Sequence, residues 1–204
     1  MHARGPPATS AYHGDMSTVP PAATQAPDRK AIAALSSSEL IERYARGSDC
    51  FERRTLELTD AQQDTAFRPE AGVGRWSCRI LVGHVADAEL VFAHRMRRAV
   101  GEDNPVLALW DENAFIDSGL YAGPKGGSDR PIAGSVAVIH TLRLWTADWL
   151  RTLTEAQWRR QALDPEYGAL TVRDILVTAV WHLEHHAWYL SRKLENLLGP
   201  ARAK

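Results

Sequence analysis

Three histidines stand within five positions of an otherwise apolar stretch, "TVRDILVTAVWHLEHHAWYL", at residues 171–190. His182 and His186 are four residues apart, so on a helix their Cβ atoms lie about 5–6 Å from each other on one face. His84 holds the same kind of position on the apolar face of an earlier predicted helix. Three imidazoles directed at one core can bind a single divalent ion, and three histidine ligands leave a coordination position open, as in catalytic zinc sites.

Each of these histidines also has an alternative interpretation, as a core residue whose ring nitrogens are hydrogen-bonded to protein groups. A buried polar group without a partner costs about 1–3 kcal/mol, and one ion would satisfy a nitrogen on each of three rings. Spacing and periodicity leave the two interpretations about equally favoured. His185 is rotated about 100° from His186 on a helix, so we expect it to line the site without sharing the ion.

Other polar groups near His84 have two interpretations each. Asp87, one helical turn on, would orient an imidazole through its N–H or would be a solvated carboxylate. Cys78, at the start of the same helix, would have a thiol pKa lowered by the helix dipole, or would be a packed thiol, which is the commoner case. His94 and His140 lie off the shared face and are predicted to be structural or solvated.

Composition limits the class of protein. The chain has 204 residues, 45% of them hydrophobic, which suits one sizeable core. Lys plus Arg number 24 against 25 Asp plus Glu, so the basic bias of a nucleic-acid binder is missing. Two distant cysteines form no disulfide framework, and neither a membrane-spanning run nor a secretory signal is evident. We therefore expect a cytoplasmic protein with a small-molecule substrate and neither nucleic acid nor membrane as partner.

The pattern along the chain predicts an all-α fold, a four-helix bundle with a long connection between helices 2 and 3. Residues 1–33 are predicted to be a flexible N-terminal tail and 34–199 the bundle domain. No alternating pattern predicts a strand. The helices are expected at about 37–58, 77–99, 131–153 and 171–198, with the connection at 101–130.

Capping signals support these boundaries. Ser36 with Glu39 and Thr171 with Asp174 have capping-box spacing, and Ser77 suits an N-cap. In helix 3, the apolar positions are taken to include Ile139, Trp145 and Leu150. Some of the seven tryptophans are expected to line a pocket or a dimer face, although core packing is their commoner use.

Two stretches together resemble the DinB/YfiT-like family of bacterial four-helix-bundle metalloproteins. "RWSCRILVGHVADAELVFAHRMRR" (75–98) is similar to the family's Trp-Ser opening and helix-2 histidine, with Asp three and Glu five residues on. The stretch at 171–190 is similar to its H-x-x-H-H signature. The resemblance covers most of residues 35–198, and it implies the same fold that the helical pattern predicts.

Carried over by motif, the family's metal ligands fall on His84, His182 and His186, and His185 matches a histidine that the family often keeps without ligating the metal. The resemblance implies a zinc or nickel ion with water completing its shell, often in a homodimer. Some relatives use low-molecular-weight thiols such as bacillithiol or mycothiol, as S-transferases or isomerases. Others are named only as metal-dependent hydrolases.

The segment "WDENAF" (110–115) is similar to an Asp-Glu-aromatic segment that several members carry between these helices. Asp111 and Glu112 are therefore the carboxylates we expect at the mouth of the site, as a general base or an occasional extra ligand. Solvated loop acids are the alternative.

We thus expect a metal-dependent enzyme that activates a thiol or water for S-transfer or hydrolysis. The competing hypothesis is a non-catalytic bundle stapled by metal, acting as a binding or stress-response module. A closed site with a fourth protein ligand would favour that second hypothesis.

Met16 is a second candidate for the start of translation. A chain that begins there is expected to keep its fold and metal content, because the removed residues have no apolar periodicity to contribute to a core. Circular dichroism and elemental analysis of the two chains check this, and loss of helix or metal on shortening would show that the tail is structural.

Overall fold

The computed structural model describes residues 25–121 and 131–201. Its architecture is an all-α bundle, in which three long helices and one shorter helix surround a common core. The helices are α1 Arg29–Ala33, α2 Ser37–Ala45, α3 Asp60–Gln63, α4 Cys78–Gly101, α5 Glu112–Asp117, α6 Ile132–Leu150, α7 Glu155–Trp158 and α8 Val172–Leu198, with strands β1 Gln161–Asp164 and β2 Gly168–Thr171.

The predicted caps are confirmed. Ser36 and Thr171 each form a capping box, with Glu39 and Asp174 respectively. The Ser77 side chain accepts a hydrogen bond from the backbone of the third residue of α4. These side chains satisfy amide groups that the first helical turn leaves unpaired, and they fix where α2, α4 and α8 begin.

The first predicted helix is too long. The α-helix ends at Ala45, and the chain continues in 3-10 turns at Gly47–Cys50 and Arg53–Glu57. A Cβ at Gly47 would lie 2.0 Å from Nη1 of Arg143, so the chain passes this point at a distance that only glycine allows. Leu56, an apolar residue inside the predicted helix 37–58, is 55% exposed.

Two further boundaries differ from expectation. α1 lies inside the segment predicted as a flexible tail, and its Ile32 is fully buried, so the boundary at 33/34 is set too late. The rest of that prediction, over residues 1–24, falls outside the described residues. The long connection contains α5 as far as it is described, and residues 122–130 fall outside the description.

A small hairpin interrupts the all-helical pattern. β1 and β2 pair antiparallel, with Ala162 opposite Leu170, and Gly168 takes a positive φ of 80° just after the turn. The side chain of Asp164 accepts hydrogen bonds from the amides of Glu166 and Tyr167, which holds the turn. Strands of four residues present only two inward positions, too few for alternation to stand out in the sequence.

The core contains one buried ion pair. Nη2 of Arg143, in α6, lies 2.5 Å from Oε1 of Glu89 in α4, and both side chains are fully buried. The same guanidinium donates to the carbonyls of Tyr44 and Ala179, and the Tyr44 hydroxyl donates to the other oxygen of Glu89. These contacts join α2, α4, α6 and α8 at one level of the bundle.

One face of α6 remains exposed. Trp145, expected in the core, is 57% exposed, and Leu90 and Val138 are also exposed on α4 and α6. The core side of α6 is formed instead by Arg143, Thr146, Ala147 and Leu150. The ion pair of Arg143 with Glu89 occupies the place expected for an apolar side chain.

Within residues 25–121 and 131–201, no helix is both long enough and apolar enough to cross a bilayer.

Gly47→Ala is expected to destabilise the protein by about 1–3 kcal/mol, as overpacking does in a close-packed core. The Arg143 guanidinium cannot move aside cheaply, because Glu89 and two carbonyls hold it. Gly134→Ala in α6 is the matched control, because its added methyl group meets nothing within 4 Å. It should be neutral or up to about 1 kcal/mol stabilising. Urea denaturation measures both, and equal midpoints for the two variants would contradict this account.

Candidate metal centre

The packing of α4 against α8 brings His84, His182 and His186 together. One ring nitrogen from each lies within 4.8 Å of the other two, and Nε2 of His84 is 3.1 Å from Nε2 of His182. The ring centroids are 4.5 to 5.1 Å apart. The prediction that these three rings point toward one place is therefore confirmed.

Apolar residues and aromatic rings enclose this cluster. Trp110 stacks on His84 at 5.3 Å, and Trp76 stacks on His186 at 5.9 Å. Along α8 one buried apolar cluster ends at Val180 and the next begins at Leu183, so the histidines lie where the two meet. The surroundings limit the access of water to the imidazoles.

This burial keeps the imidazoles neutral. Burial, with the neighbouring His186 and His84, holds the pKa of His182 well below its usual range. Burial, followed by the charges of His84, His185 and Lys193, lowers the pKa of His186 to about 3. The pKa of His84 is lowered by burial also. The neutral ring is the form that ligates metals.

The hydrogen bonding of the cluster is incomplete. His84 and His182 can satisfy one nitrogen each by pairing with each other, but Nδ1 of both is buried with no hydrogen-bond partner among the described residues. The half-buried Asp87 carboxylate accepts a 2.7 Å hydrogen bond from the Tyr121 hydroxyl, and among the described residues it does not orient an imidazole.

The other three histidines of the described residues lie outside the cluster. His185 stacks on Trp181 at 4.7 Å and contacts Tyr189, and it is absent from the group of converging nitrogens. This agrees with its predicted rotation away from His186. His94 and His140 are exposed, and His140 pairs with Ser48 through Nδ1.

The two carboxylates of the connection differ in position. Asp111 is exposed and caps α5, accepting a hydrogen bond from the amide of Ala114 at 2.9 Å. Glu112 is half-buried, and its charge is close enough to act on His84, whose pKa it raises against the effect of burial. Of these two carboxylates, Glu112 is therefore the one whose charge affects His84.

Two residues near His84 have structural roles. Burial raises the pKa of the Cys78 thiol to about 11, so the packed thiol is correct and the lowered pKa is wrong. Glu89 is the partner of Arg143 in the core. Sequence reasoning missed this pair, although one acidic and one basic residue in otherwise apolar stripes of facing helices would have indicated it.

Lys193 was also missed. It lies seven residues after His186 on α8, is 1% exposed, and its ammonium donates to the carbonyls of Val73 and Gly74. These bonds fix the loop that carries Trp76 against the histidine cluster. A lysine at core spacing on an apolar helix is the signal that would have found it.

Known proteins provide an independent comparison. YfiT from Bacillus subtilis (strain 168) is 31% identical over 136 residues, which is 66% of this chain and 70% of that protein. A protein of Oceanobacillus iheyensis is 26% identical over 136 residues, covering 67% of this chain and 73% of its own length. Both are provisionally named metal-dependent hydrolases.

Solved structures show the same fold. The structure of Bacillus subtilis YfiT, described as a probable metal-dependent hydrolase with an unusual four-helix bundle topology, matches with a TM-score of 0.67 at 25% identity. The match covers 82% of this chain and 92% of that one. A mycothiol-dependent maleylpyruvate isomerase matches with a TM-score of 0.54 at 19% identity, over 76% of this chain and 61% of that one, and shows the fold alone.

The family model of the DinB superfamily matches residues 29–190, from α1 through the three histidines and most of α8. The chain belongs to the DinB superfamily.

Proposed function

We propose that this protein is a divalent-metal-dependent enzyme in which His84, His182 and His186 hold the ion. The observation that carries the proposal is the convergence of one nitrogen from each of three neutral imidazoles, one ring buried and two half-buried, with Nε2 of His84 and Nε2 of His182 facing each other. Zinc and nickel both suit imidazole ligands, and we place them first.

The spacing of the rings fits such an ion. Two nitrogens bound to one tetrahedral zinc at about 2.0–2.1 Å are about 3.3 Å apart. Nε2 of His84 and Nε2 of His182 are 3.1 Å apart. A small adjustment of the side chains brings the third ring to the same centre, because all three donor atoms lie within 4.8 Å.

An enzyme is favoured over a bundle that metal merely staples. Structural zinc sites are closed by four protein ligands, whereas catalytic sites keep one position for water or substrate. Within the described part of the chain, the group of converging ligands has three members, and neither cysteine belongs to it. This supports an open site, and the alternative binding or stress-response module is the less supported hypothesis.

A divalent ion bound by three neutral imidazoles keeps its double charge and lowers the pKa of a bound water or thiol enough for either to act as a nucleophile near neutral pH. Around it, Trp76 and Trp110 exclude solvent from the imidazoles. We assign Glu112 as the general base, since of the two carboxylates whose charges act on His84 the other, Asp87, is hydrogen-bonded to the Tyr121 hydroxyl. Asp111 positions Glu112 by capping α5, and His185 lines the adjoining wall.

Two reactions share this arrangement. Hydrolysis is supported by the names of the relatives, and S-transfer with a low-molecular-weight thiol such as bacillithiol or mycothiol by the resemblance of the histidine motifs. Water or a thiol would bind at the same open coordination position of the ion, so the proposal includes both reactions. The cytoplasmic location and the homodimer stay predictions, and sedimentation velocity of the purified protein checks the second.

The variants His84→Ala, His182→Ala and His186→Ala are each expected to lose stoichiometric metal, because each removes one of three converging ligands. His185→Ala is the matched control on the same helix and should keep it, because its ring stacks on Trp181 away from the centre. Elemental analysis of protein purified without an affinity tag measures this. If His185→Ala lost metal as completely as the others, the assignment of ligands would be wrong.

Removal of the metal should abolish catalysis and leave the fold. The loaded protein is expected to accelerate attack of water or thiol on an ester or other electrophile, with a rate that rises with pH around neutrality as the nucleophile loses its proton. Chelation should stop this, and added metal should restore it.

Circular dichroism of the chelated protein separates the two hypotheses. We expect it to remain helical, because the apolar core is built independently of the histidines. Unfolding on chelation, together with no turnover when loaded, would indicate a stapled bundle. Equal turnover by metal-free and loaded protein would contradict the metalloenzyme.

A further inference from the structure

A cavity of about 280 Å³ opens beside His186. The loop before α4 forms one wall, and two turns of α8 form the other. Its principal lining residues are Arg75, Trp76, Leu81, His186, Tyr189 and Lys193. Because one of these side chains belongs to the histidine cluster, a molecule in the cavity would present one end to that cluster.

The walls of the cavity are mostly apolar. Trp76 lies parallel to His186, with an angle of 20° between the ring planes, and Leu81 and Tyr189 complete the sides. Small-molecule sites usually measure about 300–1,000 Å³, so this cavity is just below that range. The volume and the apolar lining suit an apolar body about as large as a substituted ring.

The charges of the cavity have one sign. Arg75 and Lys193 line it, and no carboxylate does so among the residues described. The contacts of the Lys193 ammonium are with uncharged groups, because it donates to two carbonyls and lies 4.2 Å from the centre of the Phe67 ring. Arg75 is exposed and forms no ion pair within residues 25–121 and 131–201. A metal ion at the histidines would add to this positive potential, which favours an anionic ligand.

We propose that this cavity binds a small carboxylate-bearing substrate, with its apolar body between Trp76 and Tyr189 and its carboxylate paired with Arg75. That the bound molecule is a substrate rests on the proposed function, whereas its binding to Arg75 does not. A planar guanidinium makes two parallel hydrogen bonds to a carboxylate, which fixes orientation as well as affinity. The end of the substrate away from Arg75 then lies toward His186, where the reacting bond belongs.

Benzoate, with benzyl alcohol as its neutral counterpart, tests this in the full-length zinc-loaded protein. Binding is followed through the indole N–H signal of Trp76 in ¹H–¹⁵N spectra. Arg75→Gln removes the proposed partner, and Arg68→Gln removes an exposed arginine of the same loop that does not line the cavity. We expect benzoate to bind wild type and Arg68→Gln equally and Arg75→Gln at least tenfold more weakly, with benzyl alcohol weak and unchanged in all three.

Equal benzoate affinity in Arg75→Gln and Arg68→Gln would overturn the inference, because the carboxylate would then lie elsewhere, for instance on the metal. Tighter, Arg75-dependent binding of phenyl phosphate than of benzoate would overturn the choice of carboxylate. Zinc content, measured on the same samples, separates this test from the proposed function. A protein that binds benzoate through Arg75 but holds no zinc would keep this inference and lose the metal centre.

Discussion

The candidate site depends on three imidazole rings that meet inside the largely apolar interface between α4 and α8. Their positions follow from helical spacing, because His182 and His186 are one turn apart and His84 faces them from α4. Burial keeps the rings neutral, and pairing between two of them still leaves ring nitrogens without protein partners. Under the proposed function, a divalent ion would bind the converging nitrogens, and Nε2 of His84 and Nε2 of His182 otherwise have only each other as partners. The apolar surroundings would limit competing water.

The buried pair of Glu89 and Arg143 holds the helices at the level where this happens. Glu89 is five residues after His84, and Arg143 donates to the carbonyl of Ala179, three residues before His182. Replacement of one partner would leave a buried charge unpaired, which destabilises proteins by about 3–5 kcal/mol. We therefore regard the pair as the element that fixes the relative position of α4 and α8, and with it the distance between the histidines.

Sequence reasoning finds what periodicity encodes. The caps, α4, α8 and the three converging histidines were predicted because each depends on residues within a few turns of one helix. The early end of the first helix depends on Arg143, nearly a hundred residues from Gly47, and no local pattern reports such a contact. The hydrogen bond of Tyr121 to Asp87 and the loop contacts of Lys193 are also long-range, joining residues 34 and 120 positions apart. The cavity beside His186 depends on those loop contacts and was therefore not predictable.

Two segments of different chemical character border the site. The connection supplies Trp110 and Glu112 on the side of His84, whereas the loop before α4 supplies Trp76 and a positive cavity on the side of His186. Under the proposals above, the first side would serve proton transfer and the second would bind substrate. X-ray absorption at the metal edge of the loaded protein tests the central claim most directly. We predict three imidazole nitrogens at about 2.0–2.1 Å from zinc, with the remaining shell of oxygen or other exchangeable ligands. A closed shell of four protein ligands, or a shell without imidazole, would contradict the account.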